Sequence, residues 1–250
     1  RNGKDFDVYV WQPGADLAAP PPPKLVKELA GSWRVTDWSF DGTKLLVLHY
    51  LSIEHAEVFE LTLATGDLRP IQADKAGKPA AYGTARYGEG GAIWVTTGVD
   101  AEFQRLVRIG ADGASVAVTA NINWKVEDFD VSLDGRKVAI HVNEDGWSRL
   151  YVLDGQSKPV LVQGLAEGVL SGMQWRPDGK ALAVSLTAAS TPGDVWVVSW
   201  DSDKKPATVA RWTQTETGGL PPQVFSAPKL MHYPTFDMVG GKRRQIPCFV

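Results

Sequence analysis

A phrase built around Asp-Gly recurs along this chain at a nearly constant interval. Its copies are WSFDGTKLLV at residues 38–47, DVSLDGRKVAI at 130–140 and QWRPDGKALAV at 174–184, with the degenerate RYGEGGAIWV at 86–95. The steps between copies are 47, 46 and 44 residues, counted at Asp41, Gly88, Asp134 and Asp178. A period in the forties made of short strands is typical of a β-propeller with one repeat per blade. The repeat therefore predicts an all-β chain.

Each Asp-Gly pair is predicted to turn the chain between two strands, because the favoured two-residue hairpin turn needs positive φ at both central residues. A mostly apolar run follows each plain pair, at 45–48, 138–140 and 181–184. Such runs indicate strands that are covered on both faces, as in stacked blades. Third strands of the blades are expected at 57–63, 103–109, 147–153 and 194–200, and outer strands at segments such as 68–71 and 159–162.

The two ends of the chain depart from the repeat. Residues 6–11 match the third strand of a blade and 24–29 its fourth, and the chain does not begin with Met. After Trp212 the repeat stops, and a new hairpin with a Gly240-Gly241 turn follows. We therefore expect a fragment of a larger propeller, about four blades plus a half blade, ending in the first hairpin of another domain. The expected divisions are a half blade at 1–32, blades at 33–79, 80–121, 122–167 and 168–224, and the junction with the second domain at 225–250.

Composition narrows the classes of function. The net charge of −3, with interspersed signs, argues against a nucleic-acid partner. No apolar run approaches the roughly 18 residues of a membrane-spanning helix, so no membrane partner is expected. A single cysteine, Cys248, excludes an internal disulfide and leaves the compartment open between cytoplasm and periplasm. The 44% of hydrophobic residues suffices for a large core.

No catalytic motif is recognisable in the sequence. The stretch from Gly168 through Ser171 to Gly172 lacks the G-x-S-x-G spacing of a nucleophile elbow, and we interpret it as a turn before the fourth repeat. The histidines lack the spacing of metal ligands; they are His49, His55, His141 and His232. We therefore predict no catalytic residue, no metal ligand and no cofactor in this chain, and we assign no substrate-binding residue.

Four carboxylates lie near predicted turns at the rims of blades: Glu54, Glu57, Glu144 and Asp145. Carboxylates in such places can recognise the amino terminus of a peptide by charge pairing. Solvation of an exposed carboxylate is the more common role, so both interpretations stay open.

Other side chains repeat with the blades and are interpreted as packing. They are Trp38 and Trp175 before the turn, Trp147 and Trp196 in third strands, His49 and His141 at equivalent strand positions, and Arg105 and Arg149, 44 residues apart. We expect the tryptophans and histidines to pack between blades and the arginines to form hydrogen bonds that join blades.

Several phrases resemble a known family. DAEFQRL at 100–106, NEDGWSRLYVLD at 143–154 and RWTQTETGGL at 211–220 resemble the propeller of the prolyl oligopeptidase family of serine peptidases, in its acylaminoacyl-peptidase and dipeptidyl-peptidase-like branch. YPTFD at 233–237 and QIPCFV at 245–250 resemble the entry into the family's α/β-hydrolase domain. The resemblance covers essentially the whole chain, and the junction hairpin is its more specific part.

The resemblance implies a hydrolase with a Ser-Asp-His triad in a C-terminal α/β-hydrolase domain, downstream of this chain. The propeller would then admit only short or unfolded peptides, so the implied partners are peptide substrates and that domain. No position here matches the triad motifs, and the paired Glu motif of dipeptidyl peptidases has no clear match.

Two alternative functions remain. One is a TolB-type propeller that binds proteins without catalysis. The other is a propeller hydrolase acting on lactones or sugars, with a metal or carboxylates in the central channel. The C-terminal hairpin favours the peptidase.

Overall fold

A computed structural model describes residues 3, 5–14, 19–73, 79–155, 158–200 and 207–250. Within these ranges the chain forms β-strands and two short 3-10 turns, at Glu89–Gly91 and Pro222–Val224, and no α-helix. The prediction of an all-β chain is confirmed.

Strands hydrogen-bonded in sequence order form four sheets of four in the described part of the chain. The first sheet contains β3 (Ser32–Trp38), β4 (Lys44–Ser52), β5 (His55–Thr62) and β6 (Leu68–Ile71). The second contains β7 (Tyr82–Tyr87), β8 (Ile93–Thr97), β9 (Arg105–Ile109) and β10 (Ser115–Ala117). The third contains β11 (Lys125–Val131), β12 (Lys137–Glu144), β13 (Trp147–Asp154) and β14 (Val160–Leu161). The fourth contains β15 (Val169–Trp175), β16 (Ala181–Ala188), β17 (Thr191–Ser199) and β18 (Thr208–Arg211).

Two antiparallel pairs of strands precede and follow these four sheets along the chain. They are β1 (Val8–Val10) with β2 (Lys24–Lys27), and β19 (Leu230–Val239) with β20 (Lys242–Phe249). The succession of four-stranded meanders is the blade pattern that the repeat predicts. The division of the chain into a propeller up to residue 224 and a second domain from 225 stays a prediction.

The first of two compact units, Arg1–Val126, has its core on both faces of β4. Leu46 and Leu48 pack into a cluster with side chains of the second sheet, such as Tyr87 and Val95. Leu45 and Val47 face the other way, into a cluster with Val8 and Leu29. The continuous apolar run at 45–48 is therefore explained by burial on two faces, as the sequence predicts.

In the second compact unit, Glu127–Val250, a buried apolar cluster lies between the third and fourth sheets. Its buried cluster joins the third sheet to the fourth through Ala139, Leu150, Val152, Leu170, Trp175, Leu182, Val184, Leu186 and Val198. Burial of a leucine or valine side chain contributes roughly 1.5–3 kcal/mol relative to exposure, so this cluster stabilises the unit.

The repeated Asp-Gly pairs occupy equivalent turns, between the first and second strands of their sheets. The loops are 39–43, 132–136 and 176–180, five residues each. The glycines have φ of +69°, +76° and +66°, whereas Asp41, Asp134 and Asp178 do not have positive φ. The expected two-residue turn is therefore wrong at these positions.

The turn has a different conformation because the aspartate stabilises it through hydrogen bonds to its side-chain carboxylate. The Asp41 carboxylate accepts hydrogen bonds from the Ser39 hydroxyl at 2.7 Å and the Thr43 amide at 3.0 Å. Ser39 O in turn accepts the Gly42 amide at 2.9 Å, so glycine alone takes the left-handed conformation. These hydrogen bonds, that from the Ser39 hydroxyl above all, lower the pKa of Asp41 to about 2.

The two-residue turn does occur, at a different Asp-Gly. Asp145 and Gly146 have φ of +58° and +89° and join the paired residues Glu144 and Trp147. This geometry is that of the primed hairpin turns, which Asp-Gly favours. It connects the second and third strands of its sheet instead of the first and second.

Aspartates in the first strands join neighbouring sheets within each unit. The Asp37 carboxylate accepts the Tyr87 amide at 2.8 Å in the first unit, and Asp130 accepts the Trp175 amide at 3.3 Å in the second. Asp37 and Asp130 each lie four residues before a repeated Asp-Gly aspartate. The hydrogen bonds that join blades are therefore formed by aspartates at equivalent positions.

The repeated arginines behave differently from our expectation. Arg105 donates through Nη2 to the carbonyls of Val99 and Asp100, both at 3.0 Å, in the loop of its own sheet. The expectation that Arg105 joins blades is wrong, because its side chain closes this local loop. Arg149 forms an ion pair of 3.8 Å with Glu167, which lies in the loop before the fourth sheet.

The repeated tryptophans also differ from one another: Trp175 and Trp196 pack in the apolar cluster, whereas Trp38 does not. Trp175 is buried and lies 5.4 Å from Trp200, and Trp196 packs at the edge of the same cluster. Trp38 is 47% exposed, so the expectation that it packs between blades is wrong.

Candidate functional site

Ser171 does not lie in a turn. It belongs to β15, where the pairing register shifts between Ser171 and Met173 around Gly172, whose φ is +63°. The expected turn is therefore a β-bulge, in which glycine supplies the conformation of the extra residue. Ser171 is exposed on a strand and lacks the strand-to-helix turn of a nucleophile elbow.

Two of the histidines share one carboxylate. Glu57 lies 3.4 Å from His49 Nδ1 and 3.6 Å from His55 Nε2. The His49 ring also stacks on Trp33 of its own sheet, with centroids 4.2 Å apart. Across the described ranges, no group of three or more His, Cys, Asp or Glu residues is arranged to hold a metal ion.

His141 forms a Ser-His pair with Ser148, with 2.8 Å between Nε2 and Oγ. Burial lowers the pKa of His141, although the charges of Glu127 and Asp128 oppose that effect. The Ser148 oxygen accepts the Leu170 amide at 2.9 Å and so joins the third sheet to the fourth. Because Ser148 is half-buried on a strand and already bonded in this way, the pair has the geometry of a structural contact.

The carboxylates predicted at blade rims are not brought together. Glu57 lies between the two histidines, and Glu144 lies 3.9 Å from Arg149. Glu54 lines the wall of a cavity in the first unit. That cavity is the candidate site.

The cavity has a volume of about 520 Å³, within the range of small-molecule sites. Its walls come from the β4–β5 turn, the segment before β7, the β8–β9 loop and the start of β11. The lining residues are Ile53, Glu54, Pro79, Ala80, Ala81, Gly98, Val99, Asp100, Glu102, Phe103, Gln104 and Lys125. A second cavity of about 340 Å³ shares Ile53, Ala81 and Gln104 with the first.

Hydrogen bonds of the backbone hold these walls in place. The Gly98 amide donates to Ala81 O at 3.1 Å, and the Val126 amide donates to Gln104 O at 2.9 Å. Together with the two bonds from Arg105, these contacts fix both ends of the β8–β9 loop. Asp100 takes a positive φ of +49° inside that loop, a conformation that Asp tolerates better than most residues.

The charges of the cavity are mainly negative. Glu54, Asp100 and Glu102 line it together with one basic residue, Lys125, and all four residues are exposed. The arrangement suits a cationic group on an otherwise apolar ligand. Sequence reasoning named Glu54 but missed Asp100 and Glu102, although both lie in the phrase at 100–106 that carries the family resemblance.

The C-terminal hairpin rests on the β12–β13 turn, and both belong to the second unit. His232 Nε2 lies 2.7 Å from Asp145 Oδ2. The ring of Phe249 meets Trp147 edge-on, with centroids 4.5 Å apart. Large apolar side chains are nevertheless exposed along the hairpin, and these are Met231, Tyr233, Phe236, Met238, Val239, Ile246, Phe249 and Val250.

No family model and no curated protein matches the chain. Solved structures do match it. One of two prolyl endopeptidases studied for the role of inter-domain dynamics in catalysis and specificity has a TM-score of 0.72 at 17% identity, over 99% of this chain and 38% of its own. Prolyl oligopeptidase B of Galerina marginata has a TM-score of 0.69 at 13% identity, over 99% of this chain and 37% of its own. This chain shares its fold with the prolyl oligopeptidases.

The family resemblance seen in the sequence is thereby confirmed at the level of the fold. A TolB protein of Agrobacterium tumefaciens is also similar, with a TM-score of 0.59 at 18% identity over 78% of this chain and 66% of its own. The chain spans less than two fifths of the length of the two prolyl oligopeptidases. The likeness therefore concerns a part of those proteins.

Proposed function

We propose that this chain is the substrate-gating propeller of a serine peptidase that hydrolyses short peptides. The catalytic Ser-Asp-His triad would lie in an α/β-hydrolase domain downstream of residue 250, and the hairpin at 230–249 would begin that domain. The parent protein would belong to the prolyl oligopeptidase family and take peptides as substrates.

The observation that carries the proposal is the extent of the structural match. The prolyl oligopeptidase likeness covers 99% of the chain, so it includes the C-terminal hairpin, whereas the TolB likeness covers 78%. A propeller that ended with its blades would need no such hairpin.

The surface of the hairpin supports the same assignment. Two antiparallel strands are at best marginally stable in water. Here β19 and β20 expose apolar side chains on both arms, and Phe236 is 98% exposed. An exposed apolar patch of this kind is typical of a surface that another domain covers.

The test compares two products of the same reading frame. The chain to residue 250 and the full-length translation product are each incubated with a fluorophosphonate probe and with chromogenic short peptides. We expect the full-length product to be labelled once and to hydrolyse the peptides, and the chain to residue 250 to do neither. A Ser148→Ala variant of the shorter chain serves as the control for the Ser-His pair.

Stoichiometric labelling of the shorter chain that Ser148→Ala abolishes would place a nucleophile in this chain and overturn the proposal. An unlabelled full-length product that captures a protein partner would favour the alternative, a TolB-type non-catalytic propeller. That alternative has its own support in the similarity to the TolB protein.

A further inference from the structure

We propose that the two-stranded sheet of β1 and β2 is a docking surface for two further antiparallel strands, supplied by the polypeptide segment that precedes residue 1. These strands would pair with the open edge of β1 and cover an apolar face of β3 that contains Val35 and Trp38. The inference concerns how this sheet is completed, and it does not depend on the proposed peptidase activity.

The open edge of β1 is the first observation. Within the described residues β1 is paired with β2 alone, and the two strands form a sheet of their own. In the four-stranded sheets the order of the strands follows the sequence, so each inner strand is paired with the strand before it and the strand after it. Because β2 follows β1, the same order assigns the open edge of β1 to a strand that precedes it. Unpaired N–H and C=O groups along such an edge are a template for that strand.

An incompletely covered face of the first sheet is the second observation. Val35 is paired with Val47 and Trp38 with Leu45, and directly opposite residues share one face of a sheet. Leu45 and Val47 are buried in a cluster with Val8 of β1. Val35 and Trp38, on the same face, are 44% and 47% exposed. The β1–β2 sheet therefore covers β4 and leaves β3 open.

The second sheet shows what such a face packs against. Tyr87 is the last residue of β7, as Trp38 is the last residue of β3. Tyr87 is buried in a cluster with Leu46 of the first sheet. Its amide donates a hydrogen bond to Asp37 of β3, at 2.8 Å. The first strand of one sheet thus covers the end of the first strand of the next.

The fourth sheet repeats this arrangement. Trp175 is the last residue of β15 and is 7% exposed. Its amide donates to the carboxylate of Asp130 at 3.3 Å, and its indole N–H donates to the carbonyl of Asp130 at 3.2 Å. Asp130 belongs to β11, the first strand of the preceding sheet. By this equivalence, the first strand of a completed β1–β2 sheet would bury Trp38, whose ring offers a large apolar area.

The four-stranded sheets also indicate the size and character of the occupant. Their first two strands, with the turn between them, span 16 to 21 residues. Their second strands consist largely of buried apolar residues, so the strand that pairs with β1 should be apolar as well. Its partner should carry an aspartate at the position of Asp37 and Asp130. A second copy of this chain would present another β1 edge instead of a preceding strand, so it fits the strand order less well.

The experiment is hydroxyl-radical footprinting, read by mass spectrometry, of three products of one reading frame. They are the chain 1–250, the full-length product, and a product that starts at residue 1 and includes everything downstream. Oxidation of Trp38 should be about fivefold slower in the full-length product than in the other two, because its exposure would fall from 47% to near the 7% of Trp175. Phe40, which is 58% exposed in the β3–β4 turn, is the matched control and should react equally in all three.

Equal oxidation of Trp38 in the full-length product and the chain 1–250 would overturn the inference. Protection of Trp38 in the product that starts at residue 1 would also overturn it, because a downstream domain would then be the occupant. A reading frame with too few residues before residue 1 for two strands would do the same. So would a dimer of the chain 1–250 in sedimentation velocity with Trp38 protected, since a second copy would then cover this face. None of these results would affect the fluorophosphonate test of the proposed function.

Discussion

The imidazole of His232 and the carboxylate of Asp145 lie 2.7 Å apart, although 87 residues separate them in the chain. This contact joins the C-terminal hairpin to a turn of the third sheet. The adjoining contact of Phe249 with Trp147 adds an apolar component. Together these two contacts position the hairpin within the second unit.

Two substitutions measure how much each of these contacts stabilises the hairpin. Phe249→Ala removes the aromatic contact and should raise amide hydrogen exchange throughout 230–249 severalfold. Asp145→Asn keeps the turn, because Asn tolerates positive φ, and should have a smaller effect, since a partly exposed hydrogen bond contributes about 1 kcal/mol. Hydrogen exchange followed by mass spectrometry measures both. A larger effect of Asp145→Asn than of Phe249→Ala would contradict this order.

Gly146→Ala should destabilise the second unit by about 2–4 kcal/mol. The φ of +89° strains any residue with a Cβ, and a Cβ here would lie 2.6 Å from Phe249 Cε2. Gly172→Ala in the same unit is the control, with φ of +63° and no atom within 4 Å of the added Cβ. We expect it to cost about 1 kcal/mol. Equal midpoints for the two variants in urea unfolding would show that Phe249 does not crowd this position.

Glu60→Gln should destabilise the first unit by about 1–2 kcal/mol at neutral pH. The Glu60 side chain is only 8% exposed and accepts hydrogen bonds from Lys44, Arg69 and the Tyr87 hydroxyl. Removing its charge leaves the two cations without their partner. Glu57→Gln, on the same strand but more exposed, is the control and should cost much less.

The pH dependence of the same variant follows from the pKa of Glu60. Burial raises that pKa, but the hydrogen bonds from Arg69 and Lys44 outweigh burial and hold it below its ordinary value. The stabilisation is therefore present above the unfolded pKa of about 4.3 and is lost as the pH falls through the lower folded pKa. Urea unfolding at pH 7 and pH 3 should show a smaller difference for Glu60→Gln than for the wild type. An unchanged difference would contradict the assignment.

Alanine substitution of Asp37 or of Asp130, which join neighbouring sheets, should destabilise the unit that contains it. Asp37→Ala leaves the Tyr87 amide without its acceptor, and Asp130→Ala does the same to the Trp175 amide. Each should lower the free energy of unfolding of its own unit by about 1–3 kcal/mol. Asp130→Asn retains an acceptor and should recover part of the loss. Full stability of both alanine variants in urea would show that these hydrogen bonds are dispensable.

The amino-acid sequence by itself determined the blade pattern. The Asp-Gly period and the apolar runs such as 45–48 predict the four-stranded sheets, because turns and burial on two faces leave local signals. The spacing of Gly168, Ser171 and Gly172 differs from that of a nucleophile elbow, a motif that depends on local spacing. The resemblance of 100–106 and 233–250 to one family pointed to the fold that the solved structures share with this chain.

Only the tertiary structure decided which side chains meet. The turn at Asp41 depends on bonds from Ser39 and Thr43, and the primed turn lies instead at Asp145 and Gly146. The cavity with Glu54, Asp100 and Glu102 and the contact of His232 with Asp145 join segments that are distant in the chain. Local secondary-structure propensity does not predict such contacts, because they arise when sheets pack and loops from different strands converge.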